Sequence, residues 1–347
     1  MEIGVGLDAS LGLSLTDQAD LSKLAAESGY TSIWTPEGTG QDSFQLCGHR
    51  WRATKDVVAG GLTTGIAVSP VMHRTPIAFA MSGGTMSEIT GGRFIMGIGS
   101  GGAYRPKTRK SLGLPKMSAL ALMRDYLTTV RQLVAGEQTT YSGEVVKLQG
   151  MRLGISPAPK TPVYLGALGP KMLELAGELA DGACLNWCSP EQIAWSRERI
   201  GDGAARAGRD PSDVKVVEYI RICVDDDVDV ARRSLAKATM GYALGATIPT
   251  ERERQLGYRG HFERMGFTRE LADLDDMRRK GASADEVAEA FPPSLLKTVG
   301  YYGHAGDASK EFLRLAEGLD TAIVRVVVAR PGMESVKAVM QACKPGK

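Results

Sequence analysis

The stretch VYLGALGPKMLELAGELADGACLN, residues 163–186, decides how this chain folds. A short apolar run, Val163 to Leu165, stops at Gly166. Pro170, whose fixed φ suits the first helical position, then opens a segment with Met172, Leu173, Leu175, Ala176 and Leu179 at helical spacing. Asp181-Gly182 ends that segment, and a second apolar run begins. This is a strand–tight loop–helix–strand unit, as in a parallel sheet. Its helix opens on small residues and free N–H groups, which leaves room for an anion such as a cofactor phosphate. The competing reading is a scaffold turn that binds nothing.

The same alternation runs through most of the chain. Strand-like runs are Ile3–Leu7, Ser32–Trp34, Thr64–Val68, Phe94–Gly97, Val163–Leu165, Ala183–Leu185, Val214–Cys223 and Ala322–Val328. Helical stretches between them include Asp17–Ser28, Ile77–Ile89, Ser118–Leu133, Lys171–Ala180, Glu191–Ala207 and Val230–Leu244. Eight strands with helical crossovers predict an α/β fold, a (β/α)8 TIM barrel with insertions, as one domain over residues 1–347. An open doubly wound sheet is the rival; eight units without a break in composition favour closure. Two segments exceed the minimal repeat. Residues 136–160 alternate around Gly143 and Gly150 before Pro157 and Pro159, which predicts a hairpin excursion. Residues 247–306 are polar and charged, with breaks at Gly257, Gly266, Gly281 and Pro292-Pro293. They predict a broken helical insertion near the barrel mouth.

Composition excludes several classes. A hydrophobic content of 43% and a charged content of 24% suit a globular protein with a large core. A net charge of +2, with Lys and Arg dispersed, argues against nucleic acid as principal partner. No apolar run approaches 18 residues, so no membrane span is expected. MEIGVGLD enters a strand directly, without the pattern of a signal peptide. Cys47, Cys184, Cys188, Cys223 and Cys343 form no CxxC pair and read as reduced thiols in a cytoplasm. Neither these nor the four scattered histidines have metal-ligand spacing, so no metal site is expected. Ser10, Ser69 and Ser100 lie in no nucleophile elbow, which disfavours hydrolase chemistry.

Gly97–Gly102 (GIGSGG) matches GxGxxG after a strand, but Ala103–Lys116 is a basic, proline-broken loop rather than the helix a dinucleotide fingerprint needs. At the end of a barrel strand, Gly99, Ser100 and Gly101 instead let a flat ring or ribityl chain approach the backbone. Glu37 follows the second strand in IWTPEGTGQDSF, where barrels place catalytic groups; the alternative is a solvated or helix-capping carboxylate. Asp42 and Ser43 are placed to cap the next helix.

Residues 163–186 closely resemble the corresponding segment of the methylenetetrahydromethanopterin reductases, a deazaflavin-dependent branch of the luciferase-like family. SEITGGRFIMGIGSG (87–101) matches that family's "GGR, apolar, GxGxG" pattern, and LTTGIAVSPVMHRTP (62–76) resembles its third strand. The resemblance covers most of the chain, is strongest at 83–101 and 163–213, and is weakest at 247–303. It implies a luciferase-like barrel that moves a hydride between coenzyme F420 and a small organic substrate. It also implies a phosphate held by Gly166, Ala167, Leu168, Gly169, Pro170, Lys171 and Met172. A non-prolyl cis peptide at Ala67–Val68 would support the middle ring. Catalytic candidates are Glu37, beside which Gly38 replaces the family's usual histidine, and Asp8, two residues beyond the Gly6 that stands where the reductases carry a glutamate. The alternative for Asp8 is a hydrogen bond within its own turn. The alternatives are a reduced-FMN-dependent monooxygenase, whose members usually show a serine-rich "AGSS" loop, and a cofactor-carrying protein without catalysis. The family further implies a homodimer through the helix at 77–89.

Overall fold

The computed structural model describes residues 1–155 and 160–346. Its strands are β1 (Glu2–Gly6), β2 (Ser32–Thr35), β3 (Thr63–Pro70), β4 (Phe94–Gly99), β5 (Thr139–Ser142), β6 (Lys147–Met151), β7 (Val163–Gly166), β8 (Gly182–Asn186), β9 (Lys215–Val224), β10 (Gly300–Gly303) and β11 (Thr321–Val326). Eight of them pair in parallel in the order β1-β2-β3-β4-β7-β8-β9-β11, and β11 returns to β1. That closure is the (β/α)8 barrel which the alternation predicts, and it excludes the open sheet. The strand limits fall within a few residues of the apolar runs. One pairing was not foreseen. β9 is long enough to serve β8 with Lys215–Tyr219 and β10 with Arg221–Val224, and the four-residue β10 has too little apolar sequence to announce itself.

The first seven helices are α1 (Leu15–Glu27), α2 (Ser43–Thr54), α3 (Pro76–Thr90), α4 (Pro106–Ser111), α5 (Ala119–Val134), α6 (Pro170–Leu179) and α7 (Pro190–Arg206). They are followed by α8 (Val228–Ala243), α9 (Glu251–Leu256), α10 (Tyr258–Arg264), α11 (Thr268–Arg279), α12 (Ala284–Glu289), α13 (Pro293–Val299), α14 (Ala305–Leu315) and α15 (Met333–Ala342). Asp42 caps α2, accepting from the Gln45 N–H at 3.0 Å. Residues 247–306 break where glycine and proline predict, at Gly257, Gly266, Gly281 and Pro292-Pro293. Despite its charge this insertion has a core. Phe262, Leu271, Leu274, Val287, Phe291 and Leu295 pack together with Ala231 and Leu235 of α8. β5 and β6 form the expected hairpin, tied down by Asp125 of α5, which accepts from the Val145 and Val146 N–H groups at 2.7 and 2.9 Å. Pro157 and Pro159 lie outside the described residues.

The barrel interior is organised by large side chains fitted to glycines. A Cβ on Gly65 would lie 2.2 Å from Trp34, one on Gly6 2.6 Å from Tyr219, and one on Gly182 2.7 Å from Tyr164. Real contacts are never that close, so each glycine is required by the aromatic ring it faces.

Candidate cofactor and substrate site

The C-terminal strand ends carry the functional groups in barrels of this kind. At β3 the register with β4 slips between Ile66 and Ser69, and the Ala67–Val68 peptide is cis, at the bond the family resemblance indicates. The side chain of Val68 enters the space between β4 and β7. A Cβ on Gly97, Gly99 or Gly166 would lie 3.2, 2.6 or 3.1 Å from its methyl groups, and Gly97 would also meet the Ile66 carbonyl at 2.1 Å. Gly101, at φ +55°, would place a Cβ 2.5 Å from Pro70. On the side a Cβ would take, Gly99 and Gly101 are therefore packed against the bulge, which gives these glycines a structural reason beside the ligand-facing one. Ser100 closes a turn, its carbonyl accepting from the Ala103 N–H at 2.9 Å.

Glu37 braces the same bulge. Its N–H donates to the Val68 carbonyl at 3.2 Å. Its Oε1 accepts from the Ser43 N–H at 3.2 Å and from Arg74 Nη2 at 2.6 Å, while Oε2 accepts from Ser69 Oγ and Arg74 Nη1. Arg74 also pairs with Asp42 and lies over the Phe44 ring, 5.0 Å from its centroid. The Glu37 side chain is 4% exposed. Burial alone would raise its pKa, but the donors from Arg74, Ser69 and Ser43 outweigh it and hold the carboxyl below its ordinary value. The group is an ion-paired carboxylate, so its geometry supports bracing rather than proton donation. The helix-capping reading captures part of this, because Ser43 begins α2.

Asp8 makes the turn contact and has a charged partner. It accepts from the Ser10 N–H at 2.9 Å, closing its own turn, and it pairs with Arg325 at the mouth.

The 166–172 loop runs into α6. Gly169 is its N-cap, no side chain caps it, and the first turn carries no acidic residue. Met172 N–H and Leu173 N–H both donate back to the Gly169 carbonyl at 3.0 Å. A Cβ on Gly169 would meet nothing within 4 Å. Arg264 of α10 donates to the Leu168 carbonyl at 3.0 Å, bringing a cation from the insertion onto the loop. An uncapped helix N-terminus beside open space and a guanidinium fits a phosphate.

Sequence reading missed the far wall. Arg221 of β9 and Arg325 of β11 are directly paired in register, both buried, both pointing into the mouth. Arg221 stacks 3.8 Å from the Trp187 centroid and hydrogen-bonds Asn186. Trp187 follows β8 at φ +60°. The available sign was a charged residue on the inward alternation of two apolar strands, in VVEYIRICV and TAIVRV. A cleft of about 340 Å³ lined by Thr128, Arg131, Thr161 and Asp181 lies at the opposite end, at the strand N-termini, where barrels carry stability rather than chemistry.

Such a mouth is that of a (β/α)8 barrel with its polar and charged groups gathered at the C-terminal strand ends. The chain belongs to the luciferase-like monooxygenase family, whose profile matches residues 2–320. It is 31% identical over 327 residues to the 5,10-methylenetetrahydromethanopterin reductase of Methanolobus tindarius, covering 92% of each chain. It is 33% identical over 234 residues, 67% of each, to the enzyme of that name from Archaeoglobus fulgidus. The structure of the coenzyme F420-dependent tetrahydromethanopterin reductase from Methanopyrus kandleri superposes with a TM-score of 0.75 over 98% of this chain and 96% of that one, at 21% identity, a likeness of fold.

Proposed function

We propose that this chain is an F420-dependent oxidoreductase that transfers a hydride between the deazaflavin and a small organic substrate. Its similarity to the F420-dependent reductases supports the cofactor, and the bulge seated on Gly97, Gly99 and Gly166 carries the reading. In this reading residues 166–172 and Arg264 would hold the phosphate, and Ala67–Val68 would back the ring. When bound, F420 supplies a hydride-carrying carbon; the protein orients it and excludes water. Glu37, Ser69 and Arg74 keep the bulge in place, while Asp8 and the arginine pair face the substrate. The reduced-FMN monooxygenase is the second reading, favoured by the family but not by the loop, where Ala167-Leu168-Gly169-Pro170-Lys171 has no serine.

The substrate differs from that of the methanopterin reductases. Their glutamate would fall at Gly6, where Tyr219 leaves no room even for a Cβ. The protein works as a homodimer through α3, whose Met81 and Ile89 are apolar and half exposed to solvent. Five free, buried cysteines suit a reducing cytoplasm. Among the described residues no helix is long and apolar enough to cross a membrane. The test is a fluorescence titration with F420 and with FMN. Tighter F420 binding is expected; tighter FMN binding would overturn the assignment.

A further inference from the structure

We propose that Arg221 and Arg325 form a carboxylate-binding subsite, and that the substrate is therefore a monoanionic carboxylate. The subsite sits on β9 and β11, across the barrel from the bulge on β3.

The argument begins with charge. Two guanidinium groups lie side by side on neighbouring strands, 3% and 7% exposed. The carboxylate paired with them is that of Asp8, and it pairs with Arg325 alone. Among the described residues the hydrogen-bond partners of Arg221 are neutral: the Asn186 side-chain oxygen and the Tyr219 carbonyl at 2.9 Å. Glu218 precedes Arg221 by three residues on the same strand, but its alternation turns it outward, where it accepts from the Cys188 N–H at 2.6 Å. Burial pushes its carboxyl up to about 8, so it contributes little negative charge at neutral pH. One positive charge is thus left without a counterion in a buried position, an arrangement that proteins otherwise avoid.

Hydrogen bonding points the same way. Arg325 Nη1 and the Tyr219 hydroxyl are both buried, and neither has a hydrogen-bond partner among the described residues. Both belong to the one patch, since Arg325 lies 5.3 Å and Arg221 5.9 Å from the Tyr219 ring centroid. The aromatic faces of Trp187, Tyr219 and Tyr242 relieve the repulsion between the guanidiniums while leaving their N–H edges free. Burial lowers both arginines, Arg325 to about 9. A planar carboxylate answers all of this: it neutralises the surplus charge, accepts from Arg325 Nη1, and takes the Tyr219 hydroxyl as a further donor. A surplus of one charge suits a carboxylate better than a dianionic phosphate.

The inference deepens the hydride-transfer reading and rests on it only in placing the carboxylate beside the cofactor ring. The test is calorimetric titration of the F420-loaded protein with acetate and benzoate, with their neutral isosteres acetamide and benzamide, and with inorganic phosphate. At least one carboxylate should bind ~10-fold or more tighter than its amide, and that preference should fall with added salt. Arg221→Met and Arg325→Met should each abolish the preference while leaving F420 affinity within ~2-fold. Arg325→Lys should keep part of it, and serves if a methionine variant fails to fold. Equal binding of acid and amide, no carboxylate binding at all, tighter binding of phosphate, or loss of F420 affinity in Arg325→Met with the preference intact would each overturn the proposal. If F420 itself does not bind, the cofactor reading fails separately, and the same acid-against-amide comparison on the protein alone still decides this one.

Discussion

Glu37→Gln separates a brace from a proton donor. The amide occupies the same volume but offers one acceptor oxygen where the carboxylate offers two. Whichever way it turns, either the pair of bonds from Ser43 N–H and Arg74 Nη2 or the pair from Ser69 Oγ and Arg74 Nη1 meets an NH2 group instead. Removing one partner of a buried ion pair typically costs 3–5 kcal/mol. Here Asp42 still neutralises Arg74, so the expected loss is about 3 kcal/mol. With an unfolding entropy of about 2.1 cal/mol/K per residue, that corresponds to a Tm lowered by roughly 4 °C for a chain of this length. The pH dependence has a definite sign. The folded-state pKa lies below the ordinary 4.5, so the stabilisation is complete above that value and is lost as pH falls through the folded one. Calorimetry from pH 8 to pH 4 should find a constant gap between wild type and variant down to about pH 5, closing below. F420 affinity should fall with the loosened bulge. An unchanged Tm together with a kcat lowered ~10²–10⁴-fold, and one limb of the pH–rate profile gone, would refute the brace and make Glu37 the acid.

Gly169→Asp places a favoured N-cap carboxylate where the phosphate would sit. Gly169 is extended at φ −91° and a Cβ there meets nothing, so Tm should hold or rise while F420 binds at least ~10-fold more weakly; undiminished affinity in a fluorescence titration would move the phosphate elsewhere. Met81 is 54% exposed on α3, so Met81→Lys should convert a dimer to a monomer in light scattering at micromolar concentration. A monomeric wild type, or a dimeric variant, would remove α3 as the interface.

The barrel was legible because each strand is a short apolar run and each crossover has a 3.6-residue period. Even the insertion declared its breaks, at Gly257, Gly266, Gly281 and Pro292-Pro293, although its polar surface hid the core around Phe262 and Phe291. The site was legible only where a local pattern encodes it. The α6 loop has a helix start, and the third strand has the family's wording. Arg74 was not found, because its partners Glu37 and Asp42 are 37 and 32 residues away and nothing local marks it. Arg221 and Arg325 were absorbed into strand runs, since pairing between β9 and β11 is fixed only when the barrel closes.

The glycines show why closure matters for reading function. In sequence, Gly97-Ile98-Gly99-Ser100-Gly101 looks like backbone cleared for a ligand. In the barrel, Val68, Ile66 and Pro70 occupy the space where side chains would be, so the protein's own packing already requires those glycines, whatever else they serve. Gly6 follows the same logic against Tyr219. Substituting a glutamate there requires the ring of Tyr219 to leave, and the buried hydroxyl and arginine pair around it would be rebuilt at the same time. Residue 6 is therefore coupled to the far wall. A side chain at residue 6 therefore needs a change at Tyr219 as well, and paired replacement of the two changes the volume of the mouth beside the arginine pair. On the proposed reading, substrate class is set by β1, β9 and β11 together, in residues that meet only across the barrel mouth.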